Sequence, residues 1–218
     1  MAEPNEKLID AKQNLAKTRV LQGKGLGREY PAPGRLPPGQ KLVTDSWPVL
    51  DLGLQPEIPQ DMWLLKVSGL ATERTFKWEE FNALPQTELI TDFHCVTTWS
   101  IYDANIKGVL WADFIALLKV KPEATHVMFH GYDGYTTNLP LTELAKPDVA
   151  LIHSFAGKPL ERVHGGPVRM WVPQLYGWKS AKWLKGIEFM PKDKRGFWEV
   201  RGYHNHGDPW TEQRYSQP

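Results

Sequence analysis

Cys95 is the only cysteine among the 218 residues of this chain, and it closes the segment TELITDFHC at positions 87–95. A single thiol cannot form a disulfide within the chain, so its chemistry is that of a free sulfur. Free cysteines most often pack as small buried hydrophobic side chains. A thiolate can instead attack a substrate or bind a soft metal ion. The residues around Cys95 in the fold must decide between these roles.

Apolar and polar residues alternate from Thr87 to Cys95, which predicts a β-strand. Side chains that are two residues apart on a strand share a face, so Phe93 and Cys95 lie on one face and His94 on the other. His94 is therefore badly placed to act as a base for Cys95. This geometry weakens the nucleophile hypothesis and leaves the metal-ligand hypothesis standing.

The segment HGGPVR, from His164 to Arg169, precedes the apolar run MWVP. Its two glycines allow the backbone to approach a ligand closely, and Pro167 stiffens the segment. Arg169 can bind a phosphate through two parallel hydrogen bonds. The alternative interpretation is a tight turn that leads into a strand and carries a surface arginine.

The segment YGWKSAKW occupies positions 176–183. Gly177 would allow a helix to begin near Ser180, and the free N–H groups beside Ser180 and Lys182 would suit an anion. The alternative is an amphipathic turn with its tryptophans packed inward.

The segment YDGYTTNLP, at positions 132–140, contains a DG turn signal. Asp133 offers an acceptor and Tyr135 a phenolic donor, so the pair could line a polar pocket. Turn formation alone also explains Asp133.

His204 and His206 are two residues apart, a spacing that can bind metal on a strand. The neighbouring glycine and proline favour an exposed loop instead. The sequence contains no CxxC, HExxH, GxSxG or Walker pattern, so enzymes of those kinds are not expected.

The composition favours one large domain, since 41% of the residues are hydrophobic and 23% are charged. The formal net charge of +1 gives no indication of nucleic-acid binding. No apolar run reaches the ~20 residues that span a bilayer, so no membrane segment is expected. The N-terminus lacks the pattern of a secretory signal, and we expect a cytoplasmic location.

Residues 1–47 are rich in Lys, Gly and Pro and are predicted to form an extended N-terminal arm, with a short helix around Leu8–Ala16. Residues 48–218 are predicted to form the main domain. Strands are predicted in DMWLLKVSG, THVMFHG, VALIHSFAG, VRMWVP and GIEFM, and short helices after Lys77, Leu110 and Pro140 and in SAKWLK. The expected fold is α+β, an irregular, mixed and β-rich domain with short helices.

The order of these motifs resembles a known family. A cysteine after a strand, a DGY turn, HGGPVR, and YGWKSAKWL before GIEFM resemble the catalytic domain of the sulfite-oxidase-like molybdopterin oxidoreductases. The ending GFWEVRGYHNHGDPW resembles the single-domain, cytosolic-type bacterial members. The resemblance runs from about Arg35 to Trp210.

The resemblance implies a molybdenum–molybdopterin cofactor and a role for each motif. Cys95 would be the metal ligand, a thiolate that suits a soft metal. Tyr135 would face the substrate, with Asp133 behind it, and segment 35–40 (RLPPGQ) would touch the pterin. The residues implied in cofactor binding are His94, His164, Arg169, Ser180, Ala181 and Lys182. The arginines that bind sulfite in relatives have no secure counterpart before Cys95, and His94 stands there instead.

The function that follows is transfer of an oxygen atom to or from a small substrate, possibly one that contains sulfur, in exchange with an unknown electron donor or acceptor. The chain ends where animal and plant sulfite oxidases continue into a dimerisation domain, so sulfite as the substrate and the oligomeric state both stay open. Two alternatives remain. One is a molybdopterin-binding protein without catalytic activity, and the other is an enzyme with a cysteine nucleophile.

Overall fold

The computed structural model describes residues 6–21, 34–44 and 47–216, which form two β-sheets and several short helices. Positions 22–33, which belong to the predicted N-terminal arm, lie outside the described residues. The strands are β1 Lys41–Leu42, β2 Leu64–Gly69, β3 Arg74–Lys77, β4 Thr87–Cys95, β5 Trp99–Leu110, β6 His126–Gly131, β7 Thr136–Pro140, β8 Ala150–Phe155, β9 Lys158–Pro159, β10 Arg169–Trp171 and β11 Leu184–Met190. The helices are α1 Glu6–Leu21, α2 Trp78–Asn82, α3 Trp111–Ala116 and α4 Leu141–Leu144. The predicted β-rich α+β fold with short helices is confirmed.

The two sheets divide the strands into a six-stranded and a five-stranded group. In the six-stranded sheet the order is β1-β5-β8-β10. Strand β4 also pairs with β5, and β9 pairs with β8. In the other sheet the order is β3-β2-β11-β6-β7, and β2 pairs with β11 in parallel. Each sheet contributes to a buried apolar cluster, and the cluster of the first sheet contains Phe93, Cys95 and Trp99. The first sheet therefore places the thiol in a water-poor region.

Cys95 ends β4 at a tight turn into β5, and the antiparallel pairing sets Cys95 opposite Trp99. The backbone N–H of Thr98 donates to the carbonyl of Cys95 at 3.1 Å. Thr98 has a φ of +70°, a region that β-branched residues rarely adopt. Such a conformation persists only where the surrounding structure enforces it, as at ligand sites. Sequence patterns predicted β4 but not the long strand β5.

Most predicted short elements are present, including α2, α3 and α4 at the expected positions. The predicted helix in SAKWLK is wrong. A single 3-10 turn at Gly177–Lys179 ends at Ser180, and the chain then enters β11 at Leu184. The side chain of Ser180 and its carbonyl both bind neighbouring groups, the Val172 N–H and Arg169, instead of starting a helix.

Two described parts of the predicted arm contact the main domain. Strand β1 pairs in parallel with the start of β5. Helix α1 is longer than the predicted Leu8–Ala16, and its Ile9 is fully buried. The division into an arm (1–47) and a domain (48–218) stays a prediction. Among the described residues, no helix combines the length and the apolar character needed to cross a membrane.

Lys179 and Glu199 form a fully buried ion pair, with 2.6 Å between Nζ and Oε1. The Trp178 indole N–H and the Thr137 hydroxyl also donate to Glu199 Oε1, at 3.1 and 2.9 Å. Burial lowers the pKa of Lys179, and the Glu199 carboxylate opposes that shift. The ion pair joins the 3-10 turn at Gly177–Lys179 to the segment after β11, and the Thr137 hydrogen bond adds β7. Together these bonds fix the relative position of the three segments.

We expect Glu199→Gln to lower the free energy of unfolding by about 3–5 kcal/mol, because it leaves the buried Lys179 ammonium without a carboxylate. Equilibrium unfolding in urea measures this change. Glu88→Gln is the matched control, since Glu88 is largely exposed in its 3.5 Å pair with Lys107 and should cost no more than about 1 kcal/mol. Equal losses in the two variants would contradict the assignment of a stabilising role to the buried pair.

Candidate functional site

A single deep pocket brings together most of the residues that the sequence singled out. The space between its walls, with the open solvent at its entrance included, is about 890 Å³. Seven of the nine predicted site residues line it: Cys95, Asp133, Tyr135, His164, Arg169, Ser180 and Lys182. Four motifs that are far apart in the sequence therefore meet in one place.

Cys95 reaches the pocket from the end of β4, with Phe93 on the same face. Its sulfur lies 3.2 Å from the Thr97 hydroxyl oxygen. Burial raises the pKa of the Cys95 thiol, and the contact with Thr97 partly offsets that rise. Without a nearby cationic ligand the thiol stays protonated. A bound metal ion would displace that proton, because coordinating thiols are deprotonated.

His164 ends the 3-10 turn at Arg162–His164, and its ring stacks on Trp47 with 3.9 Å between the centroids and 6° between the planes. The next residue, Gly165, has a φ of +102°, and a Cβ there would lie 2.8 Å from the Lys182 side chain. Burial and the charge of Arg169 lower the pKa of His164 to about 4, so its ring is neutral. Its Nδ1 is buried and has no hydrogen-bond partner in the described part of the chain. This atom therefore has unused hydrogen-bonding capacity on a residue that lines the pocket.

Arg169 is 2% exposed and donates to three backbone carbonyls. The acceptors are the carbonyl oxygens of His164 at 2.9 Å, Ser180 at 2.9 Å and Met170 at 3.2 Å. Burial lowers the pKa of Arg169 to about 9. A guanidinium has five N–H donors, so two are left for a ligand in the pocket. The arginine thus joins the HGGPVR segment to the SAK segment and still faces the pocket.

Ser180, Ala181 and Lys182 follow the 3-10 turn, and Ser180 and Lys182 line another wall of the pocket. The Lys182 ammonium donates to the Val163 carbonyl at 2.8 Å. Burial lowers the pKa of Lys182 to about 7, and the charge of Arg169 adds to the effect. Ala181 does not line the pocket, and its carbonyl accepts the Met170 N–H at 2.9 Å. Its contribution is to hold this wall against β10.

Asp133 and Tyr135 lie in the turn between β6 and β7. The Asp133 carboxylate accepts the backbone N–H of Tyr135 at 3.1 Å, and burial raises the pKa of Asp133 to about 6. The Tyr135 hydroxyl donates to the Trp178 carbonyl at 2.5 Å. Burial raises the pKa of Tyr135, so the phenol stays neutral. Its oxygen can still accept a hydrogen bond from a ligand.

His94 is, with Ala181, one of the two predicted site residues that do not line the pocket. Its Nδ1 lies 2.8 Å from the Ser100 hydroxyl, and its ring packs against Trp210. This placement agrees with the alternation along β4, which sets His94 on the face opposite Cys95. His204 and His206 also lie outside the pocket, in a loop, as their neighbouring glycine and proline predicted.

Several pocket residues were not among the predicted site residues. Five of the ten tryptophans line the pocket: Trp47, Trp99, Trp178, Trp183 and Trp198. Lys12 from α1, Asp51 and Tyr203 also line it. The high tryptophan content was a signal for such walls, since large rigid rings shape deep sites. Nothing in the local sequence around Lys12 or Asp51 indicates that they meet.

The pocket carries buried positive charge without matching carboxylates in contact. Within the described ranges, neither Arg169 nor Lys182 has a carboxylate oxygen within 4.0 Å. The carboxylates of Asp51 and Asp133 line the same pocket but bind other groups. Buried cations are costly unless they are paired. The site is therefore suited to a ligand that carries negative charge.

We compared the chain with protein-family models and with known proteins. Residues 52–198 match the family model described as oxidoreductase molybdopterin binding domain. The chain is 43% identical to the uncharacterized oxidoreductase YuiH of Bacillus subtilis over 195 residues, which cover 88% of this chain and 98% of that protein. It is also 28% identical to the putative protein-methionine-sulfoxide reductase subunit YedZ1 of Azospira oryzae, over 68% of this chain and 56% of that protein.

Mitochondrial sulfite oxidase of Drosophila melanogaster is 26% identical over 68% of this chain, and the match covers 30% of that longer protein. Among solved structures, the sulfane dehydrogenase SoxCD of Paracoccus pantotrophus matches with a TM-score of 0.59 and 22% identity, over 63% of this chain and 40% of that one. At this identity the structural match establishes the fold alone.

Proposed function

Because the chain belongs to the family of oxidoreductase molybdopterin-binding domains, we propose that it transfers an oxygen atom to or from a small, sulfur-containing substrate at a molybdenum centre held by Cys95. The observation that carries the proposal is the pocket in which the chain's only thiol meets Arg169, Lys182 and the unpartnered Nδ1 of His164. A soft metal ligand and an anion-binding wall are the two features that such a cofactor requires.

The residues present fit a molybdopterin. Its phosphate needs cations and N–H donors when it is buried, and Arg169 and Lys182 offer them without a carboxylate in contact. Its pterin ring needs flat apolar walls and a few polar partners, which the tryptophans and His164 Nδ1 can provide. Cys95 is the one thiol in the chain and can supply a soft thiolate ligand. Each of these features lies on the same pocket.

Each residue has a separate task in this proposal. Cys95 would hold the metal, and its burial would keep water and oxidants away from the sulfur. Arg169 would hold the anionic part of the cofactor while its three carbonyl bonds keep the guanidinium in place. When bound, the molybdenum supplies two-electron redox chemistry, and the protein contributes position and electrostatics.

Asp133 and Tyr135 are the substrate-side residues in this proposal. A carboxyl with a pKa of about 6 can hold or release a proton near neutral pH, which suits a group beside oxygen transfer. The neutral Tyr135 hydroxyl, fixed by its bond to Trp178, would orient the substrate. The family relatives named for sulfite and for methionine sulfoxide support a substrate that contains sulfur.

No observation favours the cysteine-nucleophile hypothesis. The only side chain in the described residues that forms a hydrogen bond with Cys95 Sγ is Thr97, and His94 points away from the pocket. Burial raises the pKa of the thiol, which disfavours the nucleophilic thiolate. The experiment below distinguishes the proposed enzyme from a molybdopterin-binding protein without catalytic activity.

The experiment is an oxygen-transfer assay with purified protein from a molybdenum-replete host. Methionine sulfoxide and dimethyl sulfoxide are supplied with a reduced viologen dye, and sulfite is supplied with ferricyanide. We expect turnover of one of these substrates, with oxygen gained or lost by sulfur as detected by mass spectrometry. Protein with a full complement of molybdenum and no turnover on any of them would contradict the proposed reaction and support the non-catalytic alternative.

A further inference from the structure

Helix α1 contributes to the pocket although it lies outside the residues that match the family model. The match begins at residue 52, whereas α1 spans Glu6–Leu21 and places Lys12 in the pocket wall. Ile9, on the same helix, is fully buried in the main apolar cluster. The helix is therefore packed onto the domain through an apolar anchor and sends one charged side chain toward the site.

The contacts of α1 reach two different walls. On one side, Lys12 Nζ lies 2.7 Å from the Asp51 carboxylate and also donates to the Asp51 carbonyl. On the other side, Gln13 donates to the Arg201 carbonyl at 3.1 Å, and Glu6 pairs with the Arg201 guanidinium at 3.0 Å. Asp51 itself lines the pocket, and Arg201 lies between two further lining residues, Trp198 and Tyr203. The helix thus joins the wall before β2 to the wall after β11.

Lys12 also brings a hydrogen-bond donor to the site, although its charge is matched by that of Asp51. An ammonium has three N–H donors, and the two contacts with Asp51 leave one for a ligand. Burial and the charge of Arg169 lower the pKa of Lys182, the Asp51 and Asp133 carboxylates oppose that shift, and the charge of Lys12 has a smaller lowering effect. Lys12 and Lys182 line the same pocket, so a single anionic ligand there can contact both.

We propose that α1 is a part of the cofactor site, in which Lys12 binds an anionic group of molybdopterin and the helix keeps the cofactor from leaving between the two walls. This inference rests on the proposed function. A ligand held by both the domain and α1 stabilises their contact, so cofactor binding and helix docking are coupled.

The test uses the full-length, cofactor-loaded protein and the variant Lys12→Ala. Molybdenum per chain, by mass spectrometry, and released pterin, by fluorescence, are followed over time after dilution into cofactor-free buffer. We expect about tenfold faster release from Lys12→Ala, the effect of losing one charge-assisted hydrogen bond of about 1.4 kcal/mol. Lys12→Arg, which keeps the charge, should recover most of the retention.

Lys7→Ala is the matched control, because Lys7 lies on the same helix, is exposed and does not line the pocket. It should release cofactor at the wild-type rate. Hydrogen exchange provides the second readout, and the amides of α1 should exchange more slowly in loaded than in cofactor-stripped wild-type protein. Equal release from Lys12→Ala and Lys7→Ala, or equal exchange in the two wild-type forms, would overturn the inference. Wild-type protein that never contains pterin would instead overturn the proposed function.

Discussion

Replacing Cys95 with serine is expected to lower turnover by more than about 100-fold while the cofactor stays bound. A serine hydroxyl is a hard ligand and a poor substitute for a thiolate on a soft metal. The substitution is nearly isosteric in a site that is 7% exposed, so the fold should be unchanged. Retention should persist because Arg169, Lys182 and His164 are untouched. Steady-state kinetics and pterin fluorescence on the same preparation measure both effects.

Thr97→Val serves as the control for this substitution. It removes the hydroxyl that lies 3.2 Å from the sulfur but keeps the thiol itself, so its loss of turnover should be at least about tenfold smaller. Wild-type turnover in Cys95→Ser would show that the sulfur is not a ligand that the reaction needs. Loss of pterin together with activity would show instead that Cys95 acts in cofactor retention.

Replacing Arg169 with alanine is expected to weaken cofactor retention by about 10- to 100-fold, since hydrogen bonds from a charged group contribute about 1.5–3 kcal/mol. The substitution removes a pocket-lining guanidinium and the two N–H donors that are not bonded to backbone carbonyls. It also leaves the carbonyls of His164 and Ser180 without their donor, so the two walls lose the group that joins them. Molybdenum and pterin per chain after gel filtration measure the result.

Arg214→Ala controls for the general cost of removing a buried arginine. Arg214 is 4% exposed and donates to the Val96 carbonyl at 2.6 Å, but it does not line the pocket. Both variants should unfold at lower temperature, and only Arg169→Ala should lose cofactor. Wild-type occupancy in Arg169→Ala, or equal losses of cofactor in the two variants, would contradict the role of Arg169.

The sequence was most informative where local pattern decides structure. Alternation from Thr87 to Cys95 predicted β4 with its correct bounds and the correct faces, because a strand has a period of two residues. The helix predicted at 180–185 failed because tertiary contacts decide that segment. Ser180 binds Val172 and Arg169, and these partners are not visible in local helix propensity.

The sequence predicted the motif residues of the site but not the other residues that enclose the pocket. Cys95, His164, Arg169 and Lys182 each belong to a segment with recognisable chemistry, and the fold brings these segments together. Trp47 and Lys12 could not be predicted as site residues, because they come from segments without a local motif and reach the pocket through long-range packing. His94 does not line the pocket, as the alternation along β4 leads one to expect, and its role in cofactor binding stays a prediction.

The central claim is that the single thiol of this chain is a ligand of the metal, and X-ray absorption at the molybdenum edge tests it most directly. Wild-type protein should show three sulfur ligands, two from the dithiolene of molybdopterin and one from Cys95. Cys95→Ser should show two. Two sulfur ligands in the wild-type protein, unchanged in the variant, would contradict the account.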